Sequence, residues 1–298
     1  MVLESLFGPK KAEKKPARLF FLGLIYASIG TFLGLWIFKN QASLVLVFLT
    51  VMASIPLVFR TTKYEEEKDT KNTKELILLK SHSRALAAFM FLFFGFVLAF
   101  TIWYLLLPDR LLQITFNSQI ETIRSINGGI ITVSQSIISP AATSIDSAAT
   151  GSTSVFVQIF SNNIKVMLFC IFFSFFYGAG AIFILTWNAS VIGTAIGTFI
   201  RNNIATLAEK TGFLKIGGYF GIFSLGLLRY AIHGIPEILA YFTAGLAGGI
   251  ISVAVIRHDF GSSSFKQVLA DSVDLIVLSI GLVFFAAILE VYITPIFF

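Results

Sequence analysis

The residues best placed for chemistry form one short run, His233-Gly234-Ile235-Pro236-Glu237. Arg229 lies four residues before it, and Glu290 lies near the carboxyl end. A histidine and a carboxylate four residues apart share one face of a continuous helix. Gly234 can end a helix, however, and Pro236 suits the first turn of the next. The run therefore predicts a break, with Glu237 in a helix's first turn, where the dipole favours negative charge. Three readings fit: a structural clamp, a His–Glu pair handling protons or ions, and a metal site. The metal reading has least behind it. Histidine occurs only at 82, 233 and 258, and nothing matches the two-histidine helix of a zinc protease. Glu290, one turn before Thr294-Pro295, can face Arg229 or His233. No nucleophile–base set is recognisable. The single cysteine, Cys170, sits in a Phe-rich run and excludes an intrachain disulfide or a cysteine metal cluster. The expectation is a non-enzymatic protein with no metal and no cofactor.

The elements that position these residues must be membrane helices. The chain is 56% hydrophobic and 13% charged, with mean hydropathy +0.85. Soluble domains carry roughly 25% charged residues, so lipid must solvate most of this surface. A span needs about 20 apolar residues. Residues 19–38, 42–59, 85–107, 166–187, 213–232, 235–256 and 272–293 qualify as spans. Residues 19–38 have too long an apolar core for a signal peptide, and no convincing small-residue cleavage site follows. The link Lys39–Gln41 makes the first two spans a hairpin. Residues 188–200 are short, which suits a re-entrant or interfacial element. Residues 155–160 read as an amphipathic interfacial helix ending at Asn162-Asn163. The fold class is all-α: a polytopic membrane bundle of about seven spans plus that re-entrant or interfacial element.

Five of the 22 Lys/Arg lie in residues 1–18 and seven in 60–84, the positive-inside pattern. Nucleic-acid binding is not needed to explain the net charge of +6. Residues 60–84 read as a solvated cytoplasmic helix or disordered arm. Residues 108–163 hold only Arg110 and Arg124 as basic residues and belong outside. There, Phe116, Ile120, Ile123, Ile130 and Ile137 form a helical stripe, Asn127-Gly128-Gly129 breaks it, and 139–154 are Ser/Thr-rich and flexible. With 188–200 re-entrant, this pattern predicts a cytoplasmic amino terminus, Arg201, Lys210, Lys215, Arg257 and Lys266 inside, and an external carboxyl terminus, with Arg229 the one exception. If 188–200 span instead, there are eight crossings, the carboxyl terminus lies inside, and Arg257 and Lys266 lie outside. Asp271 and Asp274 read as the cap and dipole partner of the last span. The divisions are 1–107, 108–154 and 155–298.

Gly193/Gly197, Gly217/Gly221 and Gly245/Gly249 repeat at four-residue spacing, and Ala240, Ala244 and Gly248 form another small-residue stripe. Such stripes let helix backbones approach closely, within the chain or in a homo-oligomer; intramolecular packing is preferred. Asn188-Ala189-Ser190 is formally a glycosylation site, but its place in a membrane element argues against use.

Several of these residues together resemble one family: Phe160-Ser161-Asn162-Asn163, Gly178-Ala179-Gly180, Asn188 with Gly193, His233-Gly234-Ile235-Pro236-Glu237 with Ala240, and Glu290 with Thr294-Pro295. This pattern is similar to the stage II sporulation protein M family over roughly 155–298. In that family a proline often precedes His-Gly; here Ile232 stands there. The namesake acts as a membrane scaffold holding cell-wall hydrolases during engulfment. The resemblance implies a prokaryotic cell-envelope protein, multi-pass in the cell membrane, that organises other envelope membrane proteins. The rival reading is a transporter or channel built on Arg229, His233, Glu237 and Glu290.

Overall fold

A computed structural model describes residues 9–69, 75–125, 145–177, 180–204, 213–257 and 262–297. No strand occurs among them. Seven helices among them are long and apolar enough to cross a membrane. We number the long helices α1 (Ala17–Ile37), α2 (Ala42–Asp69), α3 (Glu75–Leu106), α4 (Ile145–Tyr177), α5 (Ala181–Ile204), α6 (Phe213–Arg257) and α7 (Ser263–Ile288). The all-α polytopic bundle expected from composition is what the chain forms.

The spans differ from expectation in three places. Residues 188–200 are not a separate re-entrant element. They complete α5, whose 24 residues reach about 36 Å at 1.5 Å per residue. The run expected at 166–187 is divided, because α4 ends at Tyr177 and α5 begins at Ala181. Apolar composition on both sides of Gly178-Ala179-Gly180 concealed the division. Finally, the expected spans 213–232 and 235–256 are one helix of 45 residues with Pro236 inside it. At about 67 Å it is over twice the ~30 Å hydrocarbon core.

Further corrections concern polar segments. Residues 155–160 are an internal part of α4 rather than a short interfacial helix. The arm at 60–84 extends α2 and opens α3 (residues 70–74 lie outside the described residues), and it is not wholly solvated: Thr61, Thr62, Glu65, Glu66 and His82 are buried. The cap of α7 is Ser262, whose Oγ accepts from the Phe265 N–H at 3.2 Å; Asp271 and Asp274 lie further along that helix. The expected hairpin stands, with α1 and α2 joined by a single turn at Lys39–Gln41.

Contacts between helices fix their relative ends. Arg257 pairs with Glu66 Oε2 at 2.7 Å and Glu67 Oε1 at 3.2 Å, so α6 finishes beside the last turns of α2. At the far end Arg201 pairs with Asp109 at 2.6 Å and donates to the carbonyls of Leu105 and Leu107. A basic side chain thus serves the open carbonyls at the end of α3. Arg201 and Arg257 therefore sit at opposite ends, and Arg201 is not on the side expected. The reason is the full crossing by α5. Lys210 and the side chain of Lys215 lie outside the described residues, as do the Asn127–Gly129 break, Ile130 and Ile137.

Backbone approach sets the packing. A Cβ on Gly23 would collide with the carbonyl of Leu92, and one on Gly95 with the carbonyl of Phe20. The two glycines thus bring α1 and α3 together backbone to backbone. On α5, Gly193 lies against Phe100 and Gly197 against Tyr104 of α3. On α6, Gly245 meets Ala181 and Gly248 meets the Ile171 carbonyl. Gly221 has nothing within 4 Å, so the stripe it shares with Gly217 does not act in the same way there.

Gly95→Ala should therefore destabilise the protein by more than ~2 kcal/mol, the scale of forced overpacking. Gly281→Ala, with nothing within 4 Å of its added carbon, should be neutral or raise stability by up to ~1 kcal/mol. Thermal unfolding of the two variants in one detergent checks the contrast, and equal melting points would contradict it.

Candidate functional site

The polar cluster is built on the middle of α6 and the end of the chain. Pro236 does not interrupt α6, although it has no N–H to give the Ile232 carbonyl. Glu237 is consequently mid-helix and cannot draw on an N-terminal dipole. Its stabilising partner lies one turn on: the buried Tyr241 donates its hydroxyl to Glu237 Oε1 at 2.8 Å. The i, i+4 spacing puts the phenol directly beside the carboxylate.

The chain end meets this stretch. After α7, residues Leu289–Ile293 form a π-helical turn, and Thr294–Phe297 resume an α-helix. Thr294 gives both its N–H and its hydroxyl to the Leu289 carbonyl, the latter at 3.0 Å. The widened turn stands immediately before Pro295, whose ring would crowd a regular α-helical carbonyl four residues back. Such turns concentrate at functional sites. His233 Nδ1 lies 3.3 Å from Thr294 Oγ1. With the threonine proton given to Leu289, that oxygen accepts, so the imidazole carries a proton on Nδ1. Glu290 sits in the π turn, half-buried.

His233, Glu237, Glu290, Thr294 and Pro295 are thus assembled where α6 meets the chain end. The side chain of Arg229 lies outside the described residues. Gly234 has open space around it and borders a shallow apolar groove with Phe93, Val97 and Ile196. Phe160 stacks on Phe156 and meets Phe284 edge-on. Asn163 is buried, and its Nδ2 has no partner among the described residues, whereas Asn162 points outward. Asn188 and Gly193 belong to α5, away from this cluster, with Gly193 serving the contact with α3. Among the described residues, no group of three or more His, Cys, Asp and Glu could hold a metal ion.

Two polar assemblies escaped the sequence reading. Gln119, fully buried, donates to the Ser43 carbonyl at 2.9 Å and to Ser190 Oγ at 3.1 Å, tying residues 117–125 into the far end. At the amino-terminal end, Lys68 bridges Glu13 at 2.8 Å and Glu65 at 2.5 Å, and Glu65 also meets His82 Nδ1 at 2.9 Å. The i, i+3 spacing of Glu65 and Lys68 was a local signal for part of this. The link to Glu13, from a distant segment, had none.

Burial strips water from the Glu13 carboxyl and, with its hydrogen bond to Glu65, pushes it up to about 7 against the pull of Lys68. A carboxyl raised in the folded state stabilises its docking fully below its ordinary value of 4.5. That contribution fades as pH climbs through about 7. A spin label on Lys14→Cys should therefore gain mobility between about pH 5 and 8. Adding Glu13→Gln, a permanently uncharged side chain, should remove that dependence. An unchanged pH profile in the double variant would contradict the assignment.

Comparison with known proteins agrees with the motif-bearing residues. The family described as stage II sporulation protein M matches residues 85–295. The match takes in α3 and the 108–125 segment as well as α4 to α7. No curated protein and no solved structure matches the chain. With more than half its length covered, the chain belongs to the stage II sporulation protein M family.

Proposed function

We propose that this protein is a non-enzymatic scaffold or assembly factor of the prokaryotic cell envelope, holding partner membrane proteins. It sits multi-pass in the cell membrane with the amino-terminal end in the cytoplasm. The observation that carries the reading is how the site's polar atoms are used. Tyr241 is committed to Glu237 within α6 and Thr294 to Leu289 within the chain end, and the His233–Thr294 contact at 3.3 Å ties the longest helix among the described residues to the chain end. Those are the bonds of a clamp. Orientation follows from charge: the end bearing Arg18, Arg60, Lys63, Lys68 and Arg257 is the more basic one, and basic ends stay inside.

A transporter or channel is the second reading. The two carboxylates Glu237 and Glu290, both within candidate membrane spans, favour it, since intramembrane carboxylates commonly mark ion or proton paths.

One pair of variants separates the two. Glu237→Gln keeps shape and hydrogen-bonding capacity without charge, whereas Glu237→Ala removes both. A clamp tolerates Gln with a modest loss and loses about 1–3 kcal/mol in Ala, with no ion flux from proteoliposomes in any form. Wild-type flux that vanishes in a fully stable Gln variant would refute the scaffold. So would purification from native membranes with no associated envelope protein after mild cross-linking.

A further inference from the structure

One face of α4 points away from the bundle along the helix. Its first half carries Ser154, Gln158, Ser161, Asn162 and Lys165, all exposed, with the exposed Val157 among them. Its second half carries Leu168, Phe169, Phe172 and Phe176, also exposed. Their spacings of three and four place them on a single face. The second half is an ordinary lipid surface. The first half is not, because amides, hydroxyls and an ammonium are costly in hydrocarbon.

Neighbouring contacts set the depth of the polar half. Ser279 of α7 donates to Met167 at 3.0 Å. Phe156 and Phe160 meet Phe284, and Phe156 also meets Tyr292. Residues 156–167 therefore lie beside 279–292. From Ile280 to Leu289 that stretch has no polar side chain, and it turns Ile280, Phe284 and Phe285 outward. A stretch of that composition is embedded in hydrocarbon, so the polar face of α4 lies at the same depth. Gln158 and Asn162 are too short to reach the headgroups as lysine can.

Two of the three four-residue glycine stripes do not compete for this role, and the third, Gly217/Gly221, precedes the membrane-spanning stretch Ser224–Arg257 of α6. Gly193, Gly245 and Gly248 are occupied inside the bundle. The least covered spans are those of α4 and α7, at 17% and 22% buried. We infer that the polar face of α4 is the contact with a second copy of this chain, across a two-fold axis along the membrane normal. Glutamine, asparagine and serine each donate and accept, so identical faces satisfy one another when a two-fold brings them together. Interhelical amide bonds of this kind drive association in lipid. Lys165 stands at the edge of the polar stretch, where its four-carbon stem can carry the ammonium away from its symmetry mate.

Cysteine cross-linking in native membranes tests this with the full chain. In a Cys170→Ala background, Gln158→Cys, Ser161→Cys and Asn162→Cys are oxidised singly, beside Ile29→Cys on the exposed face of α1. At least one α4 variant should give a disulfide-linked species of twice the 32.8 kDa chain mass, and Ile29→Cys should give none. Single-molecule photobleaching of the otherwise unaltered chain in bilayers should count two copies. Combining Gln158→Leu, Ser161→Leu and Asn162→Leu should weaken association about tenfold or more. Monomers throughout, a cross-link to a protein of another mass, or an undiminished dimer in the leucine variant would each overturn the proposal.

Discussion

Helices dissolved in hydrocarbon gain little by burying apolar side chains against one another, because lipid tails solvate those side chains just as well. What brings them together is close packing, and close packing needs small residues where two backbones meet. Here the need is met at glycines. Gly23 and Gly95 leave no room for a side chain between α1 and α3. Gly193 and Gly197 let α5 lie on Phe100 and Tyr104, and Gly245 and Gly248 let α6 lie on α4 and the start of α5. With α3 against both α1 and α5, and α6 against α4, α5 and α7, these approaches organise the bundle. The placement of His233 and Glu237 depends on them, together with the Arg257–Glu66 pair and the packing of Phe242 on Phe89 and Phe93 that set the register of α6.

Lipid imposes a second constraint, that polar atoms find partners inside the protein. Hydroxyls of Thr31, Thr50, Ser54, Thr61, Thr101 and Thr194 give their protons to carbonyls four residues back in their own helices. Charged groups gather at the ends, where Arg201 joins α5 to the end of α3 and Arg257 joins α6 to α2. The cluster at Glu237 is the exception in depth, and it is internally bonded through Tyr241 and the Thr294 hydroxyl. The polar face of α4 is the exception in direction.

Composition and charge spacing were enough to read an all-α membrane bundle and the first hairpin, and the motif residues to recognise the family, because these depend on local sequence. The same local reading misplaced the interior breaks. Gly234 and Pro236 resemble a boundary, yet the helix runs through them: neighbouring helices can hold a proline in a membrane helix where water could not. Residues 188–200 looked too short only because the division between Tyr177 and Ala181 is hidden in apolar sequence. The glycine stripes after residue 190 suggested that tight packing was confined to the carboxyl-terminal half. Gly23 and Gly95 show it equally in the other half, as do Gly30 and Gly34, a four-residue repeat of α1 that packs on Leu46 of α2. Within the site, the His233–Thr294 contact spans 61 residues, which no spacing rule can supply, whereas Tyr241 was one helical turn from Glu237 and open to view.

The account rests on α5 being a full crossing, which puts Arg201 and Arg257 on opposite sides and makes the crossings seven. Impermeant thiol labelling of intact cells tests this most directly, using Asn202→Cys and Ser263→Cys one at a time in a Cys170→Ala background. Seven crossings with the amino-terminal end inside predict that Asn202→Cys is labelled and Ser263→Cys is protected until the membrane is opened. Labelling of both, or protection of both, would place the two ends on one side and contradict the architecture.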